Sequence, residues 1–383
     1  MKSRVVVLRC EDYDYLRVKR TIEKGLKLLG GAEKFVEKGE RILLKPNLLK
    51  ASPPEKGVTT HPSVFRAVAE VLKDNGVKLA FGDSPGFVKP YRAAEKAGLV
   101  KIAKELDIEF ADFENGQPVY FSRGRQNKNF TIATGVLESD GVISLPKFKT
   151  HQLTGITCAV KNQFGCIPGI LKPEFHVKLT TPEEFSKMLV DLTMLIKPRL
   201  YIVDAVEAIE GNGPGAGDIF HMGLILISDD PVAVDSVLCH IINLEPDRVF
   251  TNRYGQEFGL GVADIDNIEI LGDSLNNFYA PDFDVNRGVP LGKAQLVKFN
   301  LLRNMLLNRP VIDYDSCKRC GICIEQCSVR PKAVFWKDGN PSMYPEFDYR
   351  VCIRCFCCQE ACPYDAIFVK VPLLRKIIDW FNS

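Results

Sequence analysis

The same cysteine pattern occurs twice near the end of the chain, and this repeat constrains the fold more than any other feature. In each copy, gaps of two, two and three residues separate four cysteines. The first run is Cys317, Cys320, Cys323 and Cys327, and the second is Cys352, Cys355, Cys358 and Cys362. Four other positions match at the same offset, namely Asp313/Asp348, Tyr314/Tyr349, Arg319/Arg354 and Glu325/Glu360. The segment is therefore an internal duplication.

Four thiolates at these spacings favour an iron–sulfur cluster, because two-residue gaps let three sulfurs converge on one point. Zinc also accepts four thiolates, but zinc sites usually pair two separated CxxC knuckles instead of using one continuous run. Disulfides require an oxidising compartment, and nothing in the sequence points to secretion.

The duplicated run resembles the bacterial two-cluster ferredoxins over about residues 311–370. The resemblance implies two [4Fe–4S] clusters with crossed ligands. One cluster would take Cys317, Cys320, Cys323 and Cys362, and the other Cys352, Cys355, Cys358 and Cys327. This chain departs from the pattern at Ser328, where the ferredoxins prefer proline, and in two extra residues before Ala333. Cys357 is a spare thiol, either for packing or as a substitute ligand.

The chain of 383 residues is too long for a ferredoxin alone and suggests two or three domains. We predict an α/β domain at 1–292, a linker helix at 293–310, a small α+β two-cluster domain at 311–370 and an amphipathic helix at 371–383. The formal net charge of +2 argues against nucleic acid as the main partner. The acidic N-terminus and the absence of a long apolar run predict a cytoplasmic protein that does not associate with membranes, from a low-oxygen cell.

Before residue 292, short β-branched runs alternate with helical patterns. The predicted strands are Val5–Arg9, Ile42–Lys45, Val77–Gly82, Ile108–Asp112, Gly141–Leu145, Leu200–Asp204, Leu224–Ser228 and Ile268–Leu271. The predicted helices are Tyr15–Leu29, Ser63–Asn75, Tyr91–Leu106, Pro182–Ile196 and Val232–Asn243. This alternation predicts an α/β fold, with a mostly parallel sheet covered by helices on both faces.

Polar residues follow several of these strands. They are Lys45 and Asn47 after the second strand, Asp83 after the third, Lys147, Lys149 and His151 after Leu145, and Asp204. Ligands of such folds bind beyond the carboxyl ends of the strands, so a shared site is expected there. Each of these short polar segments alone is also compatible with an ordinary turn.

Residues 142–178 carry five lysines against one glutamate in a stretch that we expect to be irregular. A long irregular segment in a compact domain is usually functional, and its lysines, Lys161 among them, suit a carboxylate or phosphate ligand. The alternative is a metal held by His151 and His176 with Cys158 or Cys166, although their spacing fits no standard site.

In residue types and spacing, the glycine-rich stretch at 211–217 matches a dinucleotide-binding fingerprint. A strand follows it, however, whereas the fingerprint requires a helix N-terminus against the pyrophosphate. We therefore interpret it as a lid or close-approach loop.

Several phrases together resemble the family catalogued as domain of unknown function 362, over about residues 1–290. They are Lys45-Pro-Asn-Leu-Leu49, Gly82-Asp-Ser-Pro-Gly86, Lys147-Phe-Lys-Thr-His151, Lys161-Asn162, Asp204 with Gly213-Pro214, and Asp230-Pro-Val-Ala-Val-Asp235. The resemblance implies an architecture, often with a ferredoxin-like tail, but no settled reaction.

We hypothesise an oxidoreductase that relays single electrons from a soluble partner protein through two [4Fe–4S] clusters to an anionic small molecule. The assigned anion- and cofactor-binding residues are Lys45, Asn47, Asp83, Lys147 and Lys149, and the catalytic candidates are His151, Asp204 and Lys161. Protons must accompany the electrons, which is the role of the catalytic candidates. The alternative is a non-catalytic electron carrier or maturation factor that docks an acidic protein. An enclosed pocket would favour the enzyme, and an open basic face would favour the carrier.

Overall fold

A computed structural model of the chain describes residues 2–288 and 300–381. Within these residues, ten strands form a central sheet, and helices cover both of its faces. The predicted α/β class, with a mostly parallel sheet, is confirmed.

The strands are numbered in chain order. They are β1 (Ser3–Arg9), β2 (Arg41–Pro46), β3 (Lys78–Phe81), β4 (Glu109–Phe110), β5 (Gly116–Tyr120), β6 (Asn129–Ala133), β7 (Gly141–Leu145), β8 (Lys147–His151), β9 (Gly155–Thr157), β10 (Leu200–Glu210), β11 (Asp218–Ser228), β12 (Ile268–Gly272), β13 (Arg309–Ile312), β14 (Val334–Trp336), β15 (Pro345–Phe347) and β16 (Ile367–Lys370).

The main path of the sheet runs β12-β1-β11-β10-β7-β2-β3-β4. The neighbours from β10 to β4 are parallel, as are β1 and β12, whereas β11 is antiparallel to both β1 and β10. Because β2, β3 and β7 are parallel, their carboxyl ends meet at one edge, where ligands of such sheets bind.

The helices are α1 (Tyr15–Leu29), α2 (Pro62–Lys73), α3 (Pro90–Lys96), α4 (Leu99–Glu105), α5 (Thr134–Leu137), α6 (Ala159–Asn162), α7 (Lys172–Lys178), α8 (Pro182–Ile196), α9 (Pro231–Ile241), α10 (Phe250–Phe258), α11 (Asn300–Leu306), α12 (Ile322–Glu325), α13 (Cys357–Glu360) and α14 (Leu373–Phe381). Successive residues of β1 show how both faces are covered. Val6 and Leu8 pack into the core with α1 and α2, whereas Val5 and Val7 pack into the core with α9 on the other face.

Three expectations need correction. The helix expected at 91–106 is two helices, because Gly98 between them adopts a left-handed φ of 78°. The stretch 142–178 is more regular than expected, since it contains β7, β8, β9, α6 and α7. Strands β10 and β11 extend past their predicted ends and form a long hairpin around the loop at 211–217.

Residues 300–381 are called here the C-terminal unit. Within this unit, the two copies of the sequence repeat have matching backbone conformations. Helices α12 and α13 are offset by the length of the sequence repeat, and Arg319 and Arg354 share a left-handed conformation. The strand pairs cross between the copies. Strand β13 before the first run pairs with β16 after the second run, and β14 after the first run pairs with β15 before the second. Each run therefore lies beside the end of the other.

Two predicted segments lie partly outside the described residues. The linker helix at 293–310 is one of them, and its described part contains α11 and the beginning of β13. The C-terminal helix at 371–383 is the other, with Leu373–Phe381 helical. Among the helices of residues 2–288 and 300–381, none is both long and apolar enough to cross a bilayer.

The domain boundary remains a prediction with a direct test. A fragment ending at residue 288 should be soluble and should melt in one cooperative transition, because the central sheet and its helices are complete by then. Its melting temperature should be about 5 °C below that of the full chain, because hydrogen bonds to the C-terminal unit are lost. Circular dichroism during heating measures both properties. An aggregated or gradually melting fragment would contradict the independence of this domain.

Candidate active site

A pocket lies beyond the carboxyl ends of β2 and β3, at the edge that the topology predicts. It is called here the lysine pocket. Its polar lining combines Asn47, Asp83, Lys149, Lys161, Asn162, Lys172 and His176 with Cys357 and Glu360 of the C-terminal unit. Its apolar lining includes Leu48, Leu49, Phe87, Phe164, Pro173 and Pro214. Both parts of the chain therefore build the same cavity.

A buried ion pair supports the floor of the lysine pocket. Nζ of Lys45 lies 2.8 Å from Oδ1 of Asp83, and the two side chains are only 0% and 4% exposed. The other carboxylate oxygen of Asp83 accepts a hydrogen bond of 2.6 Å from the amide of Leu48. Gly165 lies directly over the pair, since a Cβ there would be 1.7 Å from Asp83 Oδ1 and 2.6 Å from Lys45 Nζ. The pair thus joins the ends of two strands and requires glycine above it.

Lys149 extends from β8 and is held by uncharged groups. Its Nζ donates to Oδ1 of Asn47 at 2.5 Å and to the carbonyl of Val58 at 2.7 Å. Burial, followed by the nearby charges of Lys161 and Lys147, holds the pKa of Lys149 well below its ordinary value. An anion in the pocket would stabilise the charged form of this lysine.

Lys161 on α6 and Lys172 on α7 add two further ammonium groups. Lys172 donates to the carbonyl of Ser84 and lies 5.4 Å from the ring centre of Phe164. Burial lowers the pKa of Lys172 to about 8. Burial also lowers the pKa of Lys161, although the charge of Glu360 opposes the shift. The pocket is therefore rich in positive charge in a partly dehydrated setting.

Glu360 brings one carboxylate into this positive environment, and its partner is His151. Nδ1 of His151 accepts from the backbone amides of Leu153 and Thr154 at 3.0 and 3.2 Å, so the neutral ring carries its proton on Nε2. That nitrogen lies 3.1 Å from Oε1 of Glu360. Burial keeps the pKa of His151 low, at about 4, so the ring is neutral at neutral pH. His151 therefore orients Glu360 and does not act as a base toward the pocket.

Burial would raise the pKa of Glu360, but His151 and the charge of Lys161 prevail and hold it low, at about 2. Glu360 is thus ionised beside Lys161. In the sequence, Glu360 stands out only as a matching position of the repeat. Its role in the pocket depends on how the C-terminal unit docks, which no local pattern records.

Lys147 and Asp204, both predicted for the site, lie in a separate buried cluster. Lys147 Nζ is 3.0 Å from Oδ1 of Asp204, and the hydroxyl of Tyr13 donates to the same oxygen at 2.8 Å. His61 stacks on Tyr13 at 3.6 Å, and its amide donates to Oδ2 of Asp204 at 2.9 Å. The register of β8 on β10 pairs these two positions directly. Their charges compensate one another, and neither residue lines the lysine pocket.

The eight cysteines of the repeat form two groups around two small cavities. The first cysteine group is Cys317, Cys320, Cys323 and Cys362, and the second is Cys327, Cys352, Cys355 and Cys358. Apolar side chains complete the lining of each cavity. The crossed pairing of the strands brings the fourth cysteine of each run to the other run.

The donor atoms suit a group that requires thiolates. The amide of Ala333 donates to Sγ of Cys327 at 3.2 Å, and the amide of Ala366 donates to Sγ of Cys362 at 3.3 Å. The two extra residues of the first copy therefore leave this contact intact. Burial, then the charges of Cys362 and the other cysteines of its group, raises the pKa of Cys323 to about 12. Such crowded thiols ionise readily only when a metal centre compensates the charge.

Among residues 2–288 and 300–381, no three His, Cys, Asp or Glu side chains are arranged to hold a single metal ion. Within the described residues, no such group of side chains supports the metal site considered for His151 and His176. His176 instead stacks on Phe185 at 4.6 Å and lines the lysine pocket.

The loop at 211–217 fastens the C-terminal unit to the pocket. Asn212 donates to the carbonyl of Ile367 at 3.3 Å and accepts from the amide of Val369 at 3.2 Å. Gln359 donates to the carbonyl of Asn212 at 2.7 Å, one residue from Cys358 of the second cysteine group. Next to it, Cys357 lines both the lysine pocket and the cavity of the second group. The two cavities therefore share one buried lining residue.

Comparison with known proteins identifies the family. The profile described as "Domain of unknown function (DUF362)" matches residues 42–240. The thylakoid-associated protein of Synechocystis sp. is 35% identical over 261 residues, which cover 68% of this chain and 81% of the relative. The chain belongs to the DUF362 family.

Two solved structures are distantly similar to this chain. The lactate racemase apoprotein from Thermoanaerobacterium thermosaccharolyticum aligns over 60% of this chain and 55% of its own, with 12% identity and a TM-score of 0.39. A protein from Thermotoga maritima aligns over 66% of this chain and 60% of its own, with 12% identity and a TM-score of 0.37. This chain thus spans less than two thirds of either structure.

Substitution of the glycine above the buried ion pair tests the architecture of the pocket. Gly165→Ala should lower the free energy of unfolding by about 3 kcal/mol, because the added methyl group forces Lys45 and Asp83 apart inside the protein. The matched control is Gly86→Ala at the same pocket, where a Cβ has no atom within 4 Å. The control should change stability by less than about 0.5 kcal/mol. Chemical denaturation measures both variants, and equal effects would contradict the assigned floor.

Proposed function

We propose that this chain is an iron–sulfur oxidoreductase. It relays single electrons through two [4Fe–4S] clusters to an anionic small molecule bound in the lysine pocket. The observation that carries the proposal is the position of Cys357, which lines both the pocket and the cavity of the second cysteine group. A bound substrate and a redox centre would then be separated by one residue.

The two cysteine groups are the proposed cluster ligands. Four thiols around each cavity, with one amide donor to the fourth cysteine of each run, match the donor set of a cubane cluster. When bound, such a cluster gains or loses one electron at a time. The role of the protein is to hold the thiolates in place and to exclude water from the second cavity, where Cys352 and Cys358 are buried.

The exposure of the two groups suggests their order. Cys320 of the first group is exposed, which suits an encounter with a soluble electron-donor or electron-acceptor protein. The second group borders the lysine pocket. We therefore propose that electrons enter or leave through the first group and reach the substrate through the second.

The pocket suits a small anion with an apolar part. Lys149, Lys161 and Lys172 supply positive charge, whereas Phe87 and Phe164 lie among the apolar lining. Lys45 supports the site through Asp83. Asn47, which accepts from Lys149 and donates to Asn162 at 3.2 Å, orients the polar wall.

Reduction of an organic anion also requires protons. Of the three residues predicted as catalytic, Lys161 is the one that lines the pocket, and its lowered pKa makes it a better acid. His151 contributes by orienting Glu360. Asp204 lies with Lys147 outside the pocket and is assigned to the stability of the domain.

The enclosure of the lysines supports an enzyme more than a carrier. Lys149 is fully buried and Lys172 is 9% exposed, so these charges face a cavity and not an open docking surface. The relative from Synechocystis sp. is named for its association with thylakoids. For this chain we propose the cytoplasm, because eight ligand thiols require a reducing compartment.

Cluster content is the first test of this function. Protein purified without oxygen should contain about eight irons and eight sulfides per chain, as four thiolates per cubane require. Metal analysis and sulfide assay give the numbers, and mass spectrometry of the same sample reports any co-purified anion. Stoichiometric zinc with little iron would refute the redox proposal.

Crossed ligation is the second test. Cys362→Ser should perturb the same paramagnetic signal as Cys320→Ser, because both cysteines line the first cavity. Cys327→Ser should instead perturb the signal that Cys355→Ser perturbs. Electron paramagnetic resonance of the reduced protein compares the four variants. If Cys362→Ser matches Cys355→Ser, ligation is confined within each run and the crossed assignment fails.

A further inference from the structure

Lys161 is a cation at the boundary between the lysine pocket and the C-terminal unit. It lines the pocket together with Cys357 and Glu360, both of which belong to the helix that also carries Cys358. After burial, which lowers the pKa of Lys161, the charge of Glu360 is the next largest influence, and it stabilises the ammonium. Lys161 thus faces the C-terminal unit from within the N-terminal domain.

Lys172 offers a contrast within the same pocket. It donates to the carbonyl of Ser84, and the largest charge effects on it come from Asp83, Lys45 and Lys161, all in the N-terminal domain. The largest charge effect on Lys161 therefore comes from a carboxylate of the C-terminal unit, whereas the largest on Lys172 comes from Asp83 of the N-terminal domain.

The cavity of the first cysteine group shares no lining residue with the lysine pocket, whereas the cavity of the second group shares Cys357. A positive charge favours the addition of an electron nearby, and the effect is strong where the intervening medium is protein instead of water. Neutralising Lys161 should therefore disfavour reduction at the second group and leave the first group largely unaffected.

We propose that Lys161 couples anion binding in the lysine pocket to the reduction potential of the second cluster. The inference rests on the proposed function. An anion that pairs with Lys161 lowers that potential, and reduction in turn weakens the binding of the anion. This coupling assists the release of the anion, because an anion bound to the oxidised protein is held less tightly once the second cluster has been reduced.

The two effects are linked quantitatively. Coupling between two binding events is reciprocal, so the loss of anion affinity on reduction and the shift in potential on anion binding are one free energy. A tenfold loss of affinity corresponds to a shift of about 59 mV for a one-electron couple. The two quantities can be measured independently and must agree.

The experiment is a redox titration of the full-length, cluster-loaded protein, in which electron paramagnetic resonance monitors the two clusters. The two signals are assigned with Cys320→Ser and Cys355→Ser. Inorganic phosphate is the probe anion, and its affinity is measured for the oxidised and the reduced protein. We expect phosphate to lower the potential of the second signal only. Lys161→Gln should lower it without phosphate and should reduce the further shift that phosphate causes.

Two matched variants separate charge from structure. Lys161→Arg keeps the charge and should keep the potential near that of the unmodified protein. Lys172→Gln should weaken phosphate binding by about tenfold, as expected for a lost charged hydrogen bond, while the potential without phosphate stays unchanged. Equal shifts in Lys161→Gln and Lys172→Gln would overturn the specific role of Lys161.

The outcomes distinguish this inference from the function on which it rests. If the purified protein carries no iron–sulfur signals, the proposed function fails. If both signals are present and neither Lys161→Gln nor phosphate moves the second one, the function stands and the coupling is refuted. If Lys161→Gln does not load with iron, the phosphate titration of the unmodified protein decides alone.

Discussion

The candidate site depends on the buried pair of Lys45 and Asp83. Two ions that leave water lose much of their solvation, so such a pair persists only with close geometry and additional hydrogen bonds. Here the distance is 2.8 Å, and the amide of Leu48 adds a hydrogen bond. The pair ties the ends of β2 and β3 together, and Gly165 can pass over it because it has no side chain. The other lysines of the pocket are arranged above this floor.

The second determinant is the docking of the C-terminal unit. Asn212 pairs with the backbone of β16, Gln359 reaches back to the same loop, and Lys50 pairs with Asp365 at 2.6 Å. These contacts bring Glu360 and Cys357 into a cavity that the N-terminal domain would otherwise leave incomplete. The proposed substrate site and the proposed redox site therefore depend on one interface.

Much of the α/β fold could be predicted from hydrophobic periodicity. Strand β7 and helices α1 and α8 have the predicted bounds, because buried β-branched runs and amphipathic helices leave clear local patterns. The long hairpin of β10 and β11 and the strand β8 were missed. In β8 the polar residues Lys147, Thr150 and His151 are all buried, so the strand lacks the apolar pattern by which strands are recognised.

From the sequence alone, the lysines could be identified and a shared site could be expected, but which of them share it could not be decided. Lys45, Lys149, Lys161 and Asp83 do come together at the predicted edge, because parallel strands end there. Lys147 and Lys149 are two residues apart in β8, a spacing that normally places side chains on the same face of a strand. Lys147 nevertheless contacts Asp204 and Tyr13 and forms a separate cluster. Which buried lysine receives a carboxylate depends on the register between β8 and β10.

By itself, the sequence determined the duplicated cysteine runs, the α/β class and the concentration of positive charge after the strands, because each of these is a local pattern of residue types. Tertiary structure alone decided which charges are compensated, how the cysteines are divided between two cavities, and that Glu360 and Cys357 enter the lysine pocket. These features arise from contacts between residues that are distant in the chain. Their energies depend on burial and on distances of a few ångströms, which no local pattern specifies.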